Sequence, residues 1–217
     1  MIQFTRSGVV FSGSPEDLKC QHRQFSDKHC VRLPGLLHRD LLREFQQRID
    51  TSEFAPRTYE GIGREIGPLD SSVDAKLSFI GNSKVLFDLI ERITRCGPIG
   101  CFTGRVYRMM PGPDHFEDWH NDNVLHRMVA LSVNLSTGPF SGGVLQLRDE
   151  RTGQIIEEVA NTGFGDGFIF RIAPYLSHRL THVAGTVPKT SFVGWFRTEP
   201  DYFALLRTGK LAAISGD

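Results

Sequence analysis

The chain has 217 residues, a single-domain length with enough material for a substantial core. Its 25 Lys+Arg balance 25 Asp+Glu, so it lacks the basic footprint that a nucleic-acid backbone demands. Hydrophobic residues at 40%, with 22 Gly and 11 Pro, describe a globule with many turns rather than a disordered chain.

Residues 1–19 mix Arg, Asp, Glu and Lys without a secretory apolar stretch, and no apolar run approaches the roughly 18 residues of a membrane span. A cytoplasmic protein without membrane contact is expected, with Cys20, Cys30, Cys96 and Cys101 as reduced thiols. Leu41, Leu42, Phe45 and Ile49 recur at helical spacing over residues 38–50, and Val85, Leu86, Leu89, Ile90 and Ile93 over residues 83–95. Two amphipathic helices follow, each with one face to bury. Between them, residues 51–82 are rich in Gly, Pro, Ser and charge with weak periodicity, which reads as a long connection of the lid type. Tyr59 and Arg64 within it are candidates to meet substrate.

From residue 99 the pattern changes to β-branched and aromatic runs separated by Gly, Pro, Asp and Asn clusters. The eight runs span residues 101–109, 118–124, 128–136, 143–148, 153–160, 167–172, 178–183 and 189–198. Eight antiparallel strands match a jelly roll, the double-stranded β-helix. The expectation is one compact, mainly β domain: a mixed extension over 1–98, its helices packed on the outside, and a core over 99–217 ending in a short helix near 201–213.

His120-Asn121-Asp122 carries the most chemical information. On a strand, period-two alternation turns His120 and Asp122 to one face, where an imidazole nitrogen and a carboxylate oxygen can meet one cation. A third ligand is available in His178-Arg-Leu-Thr-His182-Val, since the seventh run of a double sheet can fold back beside the second. Two histidines and a carboxylate occupy one face of an octahedral ion and leave three positions open, the arrangement of non-haem Fe(II) oxygenases. His178 and His182 share parity, so alternation alone does not choose between them. In the last run, Lys189 and Ser191 share a face, as a buried carboxylate of a co-substrate would require. Arg197 has the same parity and could aim at the same pocket. Trp119 has the opposite parity to the ligands and reads as packing.

The ordered elements Tyr107, Gly112, His120-x-Asp122, Gly142-Gly143, Gly165-Asp166-Gly167, His178-Arg-Leu-Thr, Lys189-x-Ser191 and Gly194-Trp-Phe resemble the prolyl-4-hydroxylase-like branch of the Fe(II)- and 2-oxoglutarate-dependent dioxygenases. The resemblance implies a jelly roll and makes His120, Asp122 and His178 the iron ligands, with His178 preferred to His182. It makes Lys189 the anchor of the distal carboxylate of 2-oxoglutarate, helped by Ser191 and Tyr107. It also implies O2 as oxidant, release of succinate and CO2, and hydroxylation of an unactivated C–H in an amino-acid-like or other small organic substrate, free or in a peptide. Two other readings stand beside it. A redox-inert metal isomerase or hydrolase would use the same triad but leave Lys189 and Ser191 without a purpose. A non-catalytic ligand-binding jelly roll would explain the strands but not the ligands.

Overall fold

The computed structural model describes residues 1–124, 126–160 and 162–198. The N-terminal half runs β1 (Ile2–Thr5), β2 (Gly8–Phe11), α1 (Pro15–Lys28), β3 (Cys30–Leu33), α2 (Arg39–Asp50), β4 (Phe54–Tyr59), β5 (Gly63–Pro68), α3 (Ser72–Gly81) and α4 (Lys84–Thr94). The second half is built of β6 (Cys101–Met109), β7 (Phe116–His120), β8 (Arg127–Asn134), β9 (Ser141–Gly142), β10 (Leu145–Asp149), β11 (Gln154–Val159), β12 (Gly167–Arg171), β13 (Leu176–Leu180), β14 (Val183–Ala184) and β15 (Lys189–Arg197).

The strands of the second half pair as a jelly roll requires. In one layer β15 lies between β6 and β8, and β12 joins β8. In the other, β13 lies between β7 and β10, and β11 closes on β10. Every pair is antiparallel, and together they form a nearly closed barrel. The N-terminal half extends it: β3 adds to β12 at one edge. At the other side β5 bridges β6 and β7, with β4 as its hairpin partner.

Alternation gives each strand an outer and an inner face. Phe102, Val106, Leu131, Ile169, Phe192 and Phe196 point outward, where Leu41 and Phe45 of α2, Leu77 of α3 and Ile90 and Ile93 of α4 cover them. Each fully buried Phe or Leu here contributes roughly 1.5–3 kcal/mol of burial. The opposed glycines Gly104 and Gly194 let these rings lie flat on the sheet. A Cβ on Gly194 would stand 2.4 Å from the Phe102 ring, and one on Gly104 2.6 Å from the Val193 carbonyl. The inner face carries a second apolar cluster with Tyr107, Met109, Leu145, Phe168, Phe170, Leu180 and Trp195. The sheet thus turns its helix-covered side to one core and the barrel interior to the other.

The two expected helices are α2 and α4, and the eight expected runs correspond to β6, β7, β8, β10, β11, β12, β13 and β15. The segment 51–82 differs from its reading as a lid-type connection. It holds the β4–β5 hairpin and α3, and its weak periodicity comes from β4, where no residue is fully buried, and from β5, whose buried positions are Gly63, Glu65, Gly67 and Pro68 rather than large apolar side chains. β1, β2, β3 and α1 are further elements beyond the sequence reading. In α1 only Leu18 and Phe25 are buried, too few to announce a helix. The expected helix near 201–213 lies outside the described residues. All four cysteines are free. Among the described residues, no helix is long and apolar enough to cross a membrane.

Candidate metal centre and cavity

The register of β13 on β7 sets His178 directly opposite His120. Their rings lie 4.2 Å apart between centroids, and Phe170 covers the far side of His178 at 4.8 Å. His120 Nδ1 lies 2.8 Å from the Asp118 carbonyl oxygen. A carbonyl only accepts, so Nδ1 carries a proton and Nε2 is the nitrogen turned to the barrel interior. Burial, then the neighbouring His120, pushes the His178 imidazole down to about 3, so it is neutral at ordinary pH.

Two carboxylates face this pair. Asp122 brings Oδ1 to 4.0 Å from His120 Nε2 and Oδ2 to 3.7 Å from His178 Nε2. Glu117 brings Oε1 to 3.4 and 3.8 Å from the same two nitrogens. Ligand atoms of Glu117, His120 and His178 all lie within 4.8 Å of one another, a spacing that could hold a metal ion. Burial opposes ionisation of Asp122, yet His178, Arg127, His120 and the Trp195 hydrogen bond together hold its carboxyl below the usual range. Burial pushes Glu117 the other way, upward. Two imidazoles and an ionised carboxylate fit a divalent iron with open positions.

Asp122 does not reach the site by strand alternation. β7 ends at His120, and the chain turns there because Asn121 Nδ2 donates to the carbonyls of Ala173 and Leu176, at 2.7 and 2.5 Å. Asn121 Oδ1 accepts from the Asn123 N–H at 2.6 Å. Asp122 Oδ1 then accepts from Arg127 Nη1 at 2.9 Å, and Oδ2 from Trp195 Nε1 at 2.7 Å. Asn121, Arg127, Trp195 and Glu117 were not assigned a role from the sequence, Asn121 and Trp195 standing there only within His120-Asn121-Asp122 and Gly194-Trp-Phe. Trp195 could have been, since it shares parity with Lys189 and Ser191. Glu117 could not, because an irregularity in the β7–β13 register turns it inward three residues before His120.

His182 lies beyond β13, exposed, with Nδ1 3.4 Å from the His115 carbonyl oxygen. Trp119 faces outward, flanked by the guanidinium carbons of Arg148 and Arg179 at 4.1 and 4.7 Å. Lys189, Ser191 and Tyr107 are buried on facing strands, with Ser191 opposite Tyr107 in register. Lys189 Nζ donates to the Gly143 carbonyl at 2.6 Å. Gly143 has φ 59°, and a Cβ there would lie 2.8 Å from the lysine stem, so the glycine admits the ammonium. Burial pulls the Lys189 ammonium down to about 8, with Glu117 partly opposing. Burial also raises the Tyr107 phenol well above its ordinary value.

A cavity of about 430 Å³ opens over the imidazoles, lined among others by Tyr59, Arg64, Glu65, Arg105, Tyr107, Phe116 and Trp195. Tyr59 and Arg64 therefore stand at its wall. Arg197 is fully buried and does not line it. Lys189 and Ser191 line a much smaller void behind it, and Ser132 and Phe168 border both spaces.

Fold and site define a jelly-roll enzyme with a place for a metal. Residues 104–197 match the family model of the 2OG-Fe(II) oxygenase superfamily. A prolyl-4-hydroxylase from Pseudomonas putida shares the fold, with TM-score 0.63, 19% identity, and coverage of 84% of this chain and 99% of its own. A 2OG-Fe(II) oxygenase family oxidoreductase from Burkholderia pseudomallei superposes with TM-score 0.65 at 15% identity, covering 88% and 96%. The alpha-ketoglutarate-dependent epimerase SnoN of nogalamycin biosynthesis does so with TM-score 0.61 at 14% identity, covering 85% and 84%. None of the curated proteins matches the sequence. Residues 104–197 thus form a 2OG-Fe(II) oxygenase domain, and the chain shares the fold of prolyl-4-hydroxylases. It is a dioxygenase that works with Fe(II), 2-oxoglutarate and O2.

Proposed function

We propose that His120, Asp122 and His178 hold the iron and that the enzyme hydroxylates an unactivated C–H of an amino-acid-like or other small organic substrate, releasing succinate and CO2. The observation that carries this reading is the pairing of His178 with His120, with Asp122 within 4.0 Å of both Nε2 atoms. When bound, iron and 2-oxoglutarate supply the oxidising chemistry, and the protein supplies placement. The Asp118 carbonyl fixes the His120 tautomer, while Trp195 and Arg127 fix the Asp122 carboxylate.

Lys189 is the proposed partner of the distal carboxylate of 2-oxoglutarate, with Ser191 and Tyr107 beside it. Among the described residues this buried ammonium donates to one backbone carbonyl, which leaves donors for an anion, and its low-dielectric setting strengthens that pairing. Tyr59 and Arg64 are proposed substrate contacts from the β4–β5 hairpin. Arg197 was a third candidate, but its full burial away from the cavity supports an internal role. A cavity of about 430 Å³ suits a small molecule or one residue of a peptide. Four free thiols suit a reducing compartment such as the cytoplasm.

Anaerobic addition of Fe(II) and then 2-oxoglutarate to the metal-free protein tests this reading. A visible charge-transfer absorption is expected, and Lys189→Glu should weaken the 2-oxoglutarate step while sparing iron binding. A colourless protein that still binds iron would contradict the proposal and favour a redox-inert metalloenzyme.

A further inference from the structure

The cavity holds one charged pair that neither the proposed metal site nor the co-substrate site uses. Arg105 of β6 points inward at the wall, and Glu65 of β5 meets it from the hairpin. Arg105 Nε donates to Glu65 Oε1 at 3.2 Å, and the Tyr59 hydroxyl donates to the same oxygen at 3.2 Å. The guanidinium lies over two aromatic rings, with its carbon 5.0 Å from the Tyr59 centroid and 5.2 Å from that of Trp195. The rings hold the fork in place through its faces and leave its edge free.

That edge has no protein partner. Among the described residues, no acceptor takes a hydrogen bond from Arg105 Nη1 or Nη2, and no donor reaches Glu65 Oε2. The Glu65 side chain is only 10% exposed and that of Arg105 28%, so both are withdrawn from bulk water at the cavity wall. Taking two ions out of water is costly unless the remaining donors and acceptors find partners. Neighbouring charges are otherwise engaged: Arg127 binds Asp122, and Arg57 lies 3.9 Å from Glu65 Oε1 while donating to the Val106 carbonyl. Along β6, Arg105 stands two residues from Tyr107 and opposite Val193, between the Lys189 end of β15 and Trp195, whose indole touches Asp122. A molecule on this pair would share its cavity with the two imidazoles.

We propose that Arg105 and Glu65 form a head-group subsite for a free, zwitterionic α-amino acid. The carboxylate takes the Nη edge of Arg105, the ammonium takes Oε2 of Glu65, and the side chain extends toward the metal. The subsite selects against a residue inside a peptide, which has neither charge. This inference rests on the oxygenase reading and narrows its substrate class.

The test uses the full chain loaded with Fe(II) and 2-oxoglutarate, and the twenty proteinogenic L-amino acids, each with its carboxamide and N-acetyl derivative. Succinate formation is measured, together with the charge-transfer absorption. At least one free amino acid should raise succinate formation, and each blocking group should lower its kcat/KM by about tenfold or more. Arg105→Gln should erase the preference for acid over carboxamide, and Glu65→Gln the preference for the free amine over N-acetyl. Arg105→Lys, which keeps the charge without the fork, should retain part of the acid preference. Absorption in each variant reports that the fold and the metal site persist. A protein that shows the absorption but responds to no free amino acid, or equally to blocked and free forms, overturns the subsite. A protein without the absorption overturns the oxygenase reading and the subsite with it.

Discussion

Trp195 and Asp122 are joined by a 2.7 Å hydrogen bond across 73 residues of sequence, indole Nε1 donating to carboxylate Oδ2. β15 carries Lys189 at one end and Trp195 toward the other, so a single strand presents the proposed co-substrate anchor and a brace for the proposed metal ligand. Arg127 completes the brace. It donates to Asp122 Oδ1 and lies 4.0 Å over the Trp195 ring, so both carboxylate oxygens are held from outside the metal site.

Removing the indole donor should therefore be felt by the metal. Trp195→Phe keeps the ring but frees Oδ2, and Fe(II) affinity measured by anaerobic competition with a chelator is expected to fall roughly tenfold. Equal affinity in variant and parent would show that Asp122 needs no brace.

The buried lysine predicts a pH dependence with a definite sign. Lys189 titrates near 8 without its co-substrate, so it is charged at pH 7 and mostly neutral at pH 9. The carboxylates of 2-oxoglutarate stay ionised over this range, so affinity should fall as pH rises, by roughly tenfold between pH 7 and 9. Titration of the charge-transfer band at several pH values reads this directly. A flat profile, or tighter binding at pH 9, would place the distal carboxylate elsewhere.

Asn82 should matter for stability rather than chemistry. Its side chain accepts from the Phe102 N–H at 2.9 Å and donates to the Phe102 carbonyl, tying the end of α3 to β6. Asn82→Ala leaves both backbone groups unpaired beside a fully buried ring, which costs about 2–4 kcal/mol. Urea denaturation should show the midpoint falling at constant slope, with an unchanged midpoint as the contrary result.

The jelly roll was legible from its cadence: strands such as β6 and β12 are short β-branched and aromatic runs, buried on both faces in β12, and the sequence marks their ends with Gly and Pro. The hairpin of β4 and β5 was not, because Tyr59, Arg64 and Glu65 occupy positions that line a cavity instead of a core. The pairing of His120 and His178 followed from strand order, but the position of Asp122 did not follow from parity, since the strand stops one residue after Trp119 and Asn121 makes the turn. Glu117 was hidden for a related reason. A register irregularity is a property of two strands together, and one sequence segment does not announce it. Arg105 and Glu65 met only when β5 joined the barrel.

The central claim is that Asp122, not Glu117, completes the metal triad. Anaerobic titration of Fe(II) and 2-oxoglutarate into the parent, Asp122→Ala and Glu117→Gln proteins tests it most directly. The charge-transfer band should appear in the parent and in Glu117→Gln and be lost in Asp122→Ala. A band that survives in Asp122→Ala and disappears in Glu117→Gln would contradict it.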